Sequence, residues 1–107
     1  MATRLVERPL SVPPGADRHE FAVQLPTGAQ VLRIQQEGNQ GIAVIRGDPA
    51  LPDEPRYFVA ILSEKAPTGV LLTAREAAGT YLGSFTSYVR DSGARTDLYH
   101  LFEVVAP

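Results

Sequence analysis

The sequence predicts an all-β, mainly antiparallel fold: a small sandwich or partly open barrel of six to seven short strands, with one short helix near residues 73–79. Three observations lead there. Nine prolines and nine glycines cut the 107 residues into short pieces. The pieces between them are rich in Val, Ile, Leu, Phe and Tyr, which suit a pleated, half-buried surface. A single sheet built from so many apolar strands would leave one apolar face in water, so a second layer is needed.

The elements follow in order. Residues 3–8 form a first strand, and Pro9, Pro13, Pro14 and Gly15 make residues 9–18 a proline-rich connector that cannot pair continuously with a neighbour. From His19 to Leu25, Phe21, Val23 and Leu25 alternate with Glu20, Ala22 and Gln24, as a half-buried strand requires. Pro26, Thr27 and Gly28 then turn the chain, with Pro26 expected at the second turn position. Gln30–Gln36 and Gly41–Arg46 flank Glu37-Gly38-Asn39-Gln40, a hairpin loop. The polar stretch 49–55 reads as a surface loop. Arg56–Ser63 is apolar on both alternations, the mark of a central strand covered on both faces. Thr73 and Glu76 have capping-box spacing, and Gly79 is placed to end a helix of one or two turns. Thr80–Val89 and Thr96–Val105 are the last strands, joined by a hairpin turn over residues 90–94. Leu32, Ile34, Val44, Phe58, Ala60, Leu82, Phe102 and Val104 are the expected core of one domain spanning residues 1–107.

Composition then narrows the chemistry. The formal charge of −2 provides no global positive field for nucleic acid or anionic lipid. The absence of cysteine excludes disulfides, thiolate nucleophiles and Cys-ligated metals. The N-terminal residues carry charge where a secretory signal has an apolar run, and the longest apolar stretches, Tyr57–Leu62 and Gly69–Leu72, are too short to span a bilayer as a helix. A cytoplasmic protein with no membrane segment is expected.

No catalytic, cofactor-binding or metal residue is assigned. His19 and His100 have neither a second histidine nor a carboxylate at helical spacing, and a metal site would need both plus Asp97 or Glu103. None of the serines sits in a nucleophile elbow, and Gly38–Gly41 is not followed by the Lys and helix of a phosphate loop. His100, with Tyr99 and Phe102 in the final strand, reads as a structural, hydrogen-bonded histidine that is mostly buried. The competing reading has His100 work with Tyr81, Tyr88 or Tyr99 in a barrel mouth. Arg33, Arg46 and Arg56, with Tyr57 beside them, form the one possible interaction surface that the strand pattern offers.

Leu25-Pro26-Thr27-Gly28-Ala29, Val31-Leu32-Arg33-Ile34-Gln35, Ile42-Ala43-Val44-Ile45 and Arg56-Tyr57-Phe58-Val59 occur in that order, followed by Thr80–Phe85 and Tyr99–Glu103. In order and spacing this series resembles a family of short bacteriophage and prophage proteins classed as a domain of unknown function, over about residues 19–104. The resemblance implies a phage-related origin and the cytoplasm of a bacterial host, and it implies no activity. The expected role is therefore a non-enzymatic accessory protein that binds a host or phage protein, with no cofactor and nucleic acid unlikely as a partner. A homodimer or self-assembling component is the alternative, and a small-ligand binder or enzyme using His100 ranks below both.

Overall fold

A computed structural model describes residues 3–13, 17–38, 40–63, 69–89 and 95–107. Seven strands and one helix follow in chain order: β1 (Arg4–Pro9), β2 (Arg18–Pro26), β3 (Gln30–Glu37), β4 (Gln40–Gly47), β5 (Asp53–Leu62), α1 (Ala74–Ala78), β6 (Thr80–Val89) and β7 (Arg95–Val104). They form two antiparallel sheets, three-stranded β1-β4-β3 and four-stranded β2-β5-β7-β6, packed face to face and not closed into a barrel. The expected turn at 90–94, Asn39 of the β3–β4 turn and Pro14-Gly15 of the connector lie outside the described residues. Among the described residues no helix is long and apolar enough to cross a membrane.

The core fills the space between the sheets. Leu25, Ile45, Phe58, Ala60, Tyr99 and Leu101 are fully buried there, and Phe85 stacks on Tyr99 with ring centroids 5.9 Å apart. Ile34 and Leu82 pack at its margin. Phe102 and Val104 belong to a second, smaller cluster with Val59, Ile61 and Val70 on the outer face of the four-stranded sheet. Both faces of β5 are thus covered, as its double apolar alternation requires.

Four expectations need correction. Leu32 is 41% exposed because the β3–β4 register slips between Val31 and Arg33, and the extra residue of this bulge turns outward. The loop expected at 49–55 is shorter, because β5 begins at Asp53 and contains Pro55. Leu62 N–H donates to Asp17 O at 2.8 Å and Thr27 N–H to Pro52 O at 3.0 Å, so odd residues of β2 make the ladder bonds to β5. Pro55 faces Gln24, an even position where no β2 bond is made, and the register with β7 starts only at Tyr57, so the missing N–H is not needed. At the first chain turn Pro26 is in the first position, accepting from Ala29 N–H at 3.0 Å, while Gly28 takes φ +74°. The connector expected at 9–18 is also shorter, since Pro9 belongs to β1 and Arg18 to β2. Leu10 N–H donates to Gly41 O at 2.9 Å, extending the β1–β4 ladder by one bond, and Leu10 and Val12 are buried in the core as the chain crosses between sheets.

Thr73 and Glu76 make the expected capping box, with Glu76 N–H donating to Thr73 Oγ1 at 3.2 Å and Thr73 N–H to Glu76 Oε1 at 3.1 Å. So short a helix depends on docking. Glu76 is buried and takes Arg18 at 2.9 Å, while Arg75 reaches Glu20 at 2.9 Å and Val105 O at 2.6 Å. These bonds fix α1 across the outer face, between β2 and the end of β7. Glu76→Ala is expected to lower stability by about 2 kcal/mol, since it removes the reciprocal half of the capping box and the Arg18 ion pair and leaves Thr73 N–H without its acceptor. Glu76→Gln, whose amide oxygen still accepts that bond, should lose about half as much by urea unfolding. Equal losses for the two variants would show that the charge, not the cap, matters.

Candidate functional site

The strands β6 and β7 build the site. Because Tyr99 and Leu101 point into the core, Leu98, His100, Phe102 and Val104 project from the outer face of the four-stranded sheet. Tyr81 of β6 lies opposite Phe102 and meets its ring edge-on at 5.3 Å. Residues 69–72 run over the same face before α1, held by Arg18 Nη2 donating to Leu71 O at 3.1 Å. Together Ile61, Val70, Leu72, Tyr81, His100 and Phe102 enclose a hollow of about 140 Å³. Its surroundings remain open: Leu71 is 91%, Tyr81 54%, Leu98 40% and Leu72 38% exposed.

His100 is the polar element of the hollow. Its Nδ1 lies 3.0 Å from the Tyr81 hydroxyl and its Nε2 3.2 Å from Ser63 Oγ. In a neutral ring one nitrogen donates and the other accepts, and both hydroxyls serve either role, so the imidazole is held at both ends. It is half-buried, less than the sequence suggested; among the described residues, residues 69–72 and Tyr81 cover the outer face here. Of the barrel-mouth tyrosines, Tyr81 meets His100, whereas Tyr99 is buried on the opposite face of β7, its hydroxyl donating to Pro13 O at 3.4 Å. The side chain of Tyr88 lies outside the described residues. A second hollow of about 310 Å³ adjoins the first across Val70 and Ile61, with Asp17 and Arg18 on its rim. Among the described residues no group of three His, Asp or Glu side chains is placed to hold a metal ion.

The arginines expected to share a surface are separated. Arg33 and Arg46 lie on the outer face of the three-stranded sheet, Arg33 donating to Gln35 at 2.9 Å and Arg46 to Gln30. Their aliphatic stems lie beside Val44 and Ile42, which are 8% and 7% exposed on that face. Arg56 belongs to the other sheet and points inward, on the side of β5 that carries Phe58 and Ala60. It holds Glu103 with both ends of its guanidinium and donates to Ala29 O at 2.6 Å. Tyr57 lies on the outer face, packed in the second cluster. The structure therefore does not bring Arg56 and Tyr57 to the surface that carries Arg33 and Arg46.

Val70 and Leu72 were missed as site residues. Their signal was the short apolar stretch Gly69–Leu72, which has no strand or helix period and so pointed to no face. Comparison of the chain with protein-family models, curated proteins and solved structures gives no match.

Proposed function

We propose that the protein is a non-enzymatic binding module that engages another protein by seating one apolar side chain of that partner in the hollow between Val70, Leu72, Tyr81 and Phe102. The apolar lining of the hollow carries this reading. Apart from His100 and the Tyr81 hydroxyl it is lined by apolar side chains, and at about 140 Å³ it suits one side chain, the scale of an interface anchor, while the adjoining hollow of about 310 Å³ extends the contact surface. The exposed apolar residues around it, Leu71 and Leu98 among them, supply the surrounding contact that excludes water from such an anchor. His100 and the Tyr81 hydroxyl offer polar groups at the rim, which favours a partner with a hydrogen-bonding group beside its apolar anchor. The likeness to short phage proteins suggests a bacterial or phage protein as that partner.

A random-peptide display selection against the purified protein tests the proposal. Enriched peptides are expected to share one large apolar residue. Their affinity should fall at least about tenfold with Tyr81→Ala and with Leu72→Glu, while Arg46→Ala on the opposite sheet leaves it unchanged. Peptides whose binding ignores both hollow substitutions would overturn the assignment, as would a selection that enriches nothing.

A further inference from the structure

A two-sheet sandwich has four edge strands, and three of the four here carry a device that blocks further pairing. β1 is charged at Arg4, Glu7 and Arg8 and ends in Pro9. β3 is broken by the bulge at Leu32. β6 is clasped at Thr86, whose N–H donates to Gln36 Oε1 at 2.7 Å while Gln36 Nε2 donates back to Thr86 O at 3.1 Å. β2 differs. It runs nine residues in unbroken register with β5, and among the described residues nothing pairs with its other side.

The ladder pattern shows what that side presents. Odd residues of β2 bond to β5, so the N–H and C=O groups of Arg18, Glu20, Ala22 and Gln24 point away from the sheet. The charges at this edge are already occupied within the chain, Arg18 by Glu76 and Glu20 by Arg75. From Phe21 to Pro26 the strand carries no charge.

We propose that a second copy of this chain adds to β2, antiparallel, about a two-fold axis at Phe21. In that register Arg18 faces Gln24, His19 faces Val23 and Glu20 faces Ala22, and no like charges meet. Each of Arg18, Glu20, Ala22 and Gln24 donates one bond to the other copy and accepts one, and Pro26 stays outside the paired stretch. The two Phe21 rings, each already stacked on its own Phe58 at 5.8 Å, come opposite one another at the axis, where cross-strand aromatic pairs stabilise a sheet. An axis at Glu20 would set two carboxylates face to face. An axis at Ala22 would bring Pro26, which has no N–H, into the ladder. The result is an eight-stranded sheet through both copies, and it does not use the hollow, whose strand residues belong to β5, β7 and β6.

Charge at position 22 reads the register. Ala22 is exposed and its N–H is not used by β5, so substitutions there leave the fold intact. By light scattering at micromolar concentration the wild type should run at twice 11.6 kDa. Ala22→Glu, set against Glu20 of the other copy, should raise the dimer dissociation constant at least tenfold, and Ala22→Lys should leave it equal or lower. A wild type that stays monomeric at the highest concentrations overturns the proposal, and so does an Ala22→Glu variant that dimerises as well. If both substitutions weaken the dimer equally, Ala22 faces itself and the Phe21 axis is wrong. Amide exchange supplies a second readout: the N–H groups of Glu20 and Ala22 should be protected at high concentration and exposed on dilution, and concentration-independent exchange would refute the pairing.

Discussion

Arg56→Met is expected to lower the unfolding free energy by about 2–3 kcal/mol, more than a surface arginine substitution can explain. The guanidinium makes two bonds to Glu103, Nε to Oε2 at 2.5 Å and Nη2 to Oε1 at 3.0 Å, and a third to Ala29 O at 2.6 Å. Both side chains are 22% exposed, at one end of the sandwich. Methionine replaces the stem but leaves a carboxylate and a carbonyl without donors in a half-desolvated place, and stranding the partner is the main loss when such a pair is broken. Removing both charges should therefore be milder than removing one. Arg56→Met with Glu103→Leu is expected to recover about half of the loss, measured by guanidinium chloride unfolding. A loss below about 0.5 kcal/mol for Arg56→Met would return Arg56 to the class of ordinary surface residues.

Gly41→Ala is expected to have a comparable effect, about 2–3 kcal/mol, from the opposite cause. A Cβ built at Gly41 lies 2.6, 2.8 and 2.9 Å from three carbons of the Phe85 side chain. Phe85 has nowhere to retreat, being 2% exposed and stacked on the fully buried Tyr99. The methyl must displace the ring or spread the two sheets. Phe85→Ala removes Cγ and Cδ2, the two carbons nearest the added methyl, so it should cost less in the Gly41→Ala background than in the wild type. Thermal melts of the four proteins of that cycle give the coupling directly. Additive losses would mean that β4 shifts to admit the methyl.

What could be read in advance divides along the range of the forces involved. The strands, the capping box and the two-layer architecture depend on neighbours within a few residues, and the alternation of Phe21, Val23 and Leu25 or the spacing of Thr73 and Glu76 expresses them directly. Arg56 was misplaced because β5 is apolar on both alternations, so its period could not tell which side faces the other sheet. Only the structure shows that the side shared by Arg56 and Phe58 faces the other sheet, and the pairing of Phe58 with Glu103 brings that carboxylate beside Arg56. Leu32 fits any β3 alternation until a bulge appears, and a bulge is a property of two strands. The hollow shows the same limit. Tyr81, His100 and Phe102 lie in legible strands, whereas Val70 and Leu72 arrive there because Arg18, more than fifty residues earlier, anchors Leu71 and Glu76.

The clasp of Gln36 on Thr86 has a consequence for how far any edge-to-edge growth can go. A sheet that accepts a strand on both sides polymerises, each added copy offering a fresh template, and this is the route to fibres. Here one amide side chain imitates a neighbouring strand for a single residue of β6, giving and taking the two bonds that an incoming chain would need at that point. The four-stranded sheet is left with one extensible side. Chains joined through it as proposed would stop at a finite, closed pair, and the length of that assembly would be set by a glutamine that takes no part in joining them.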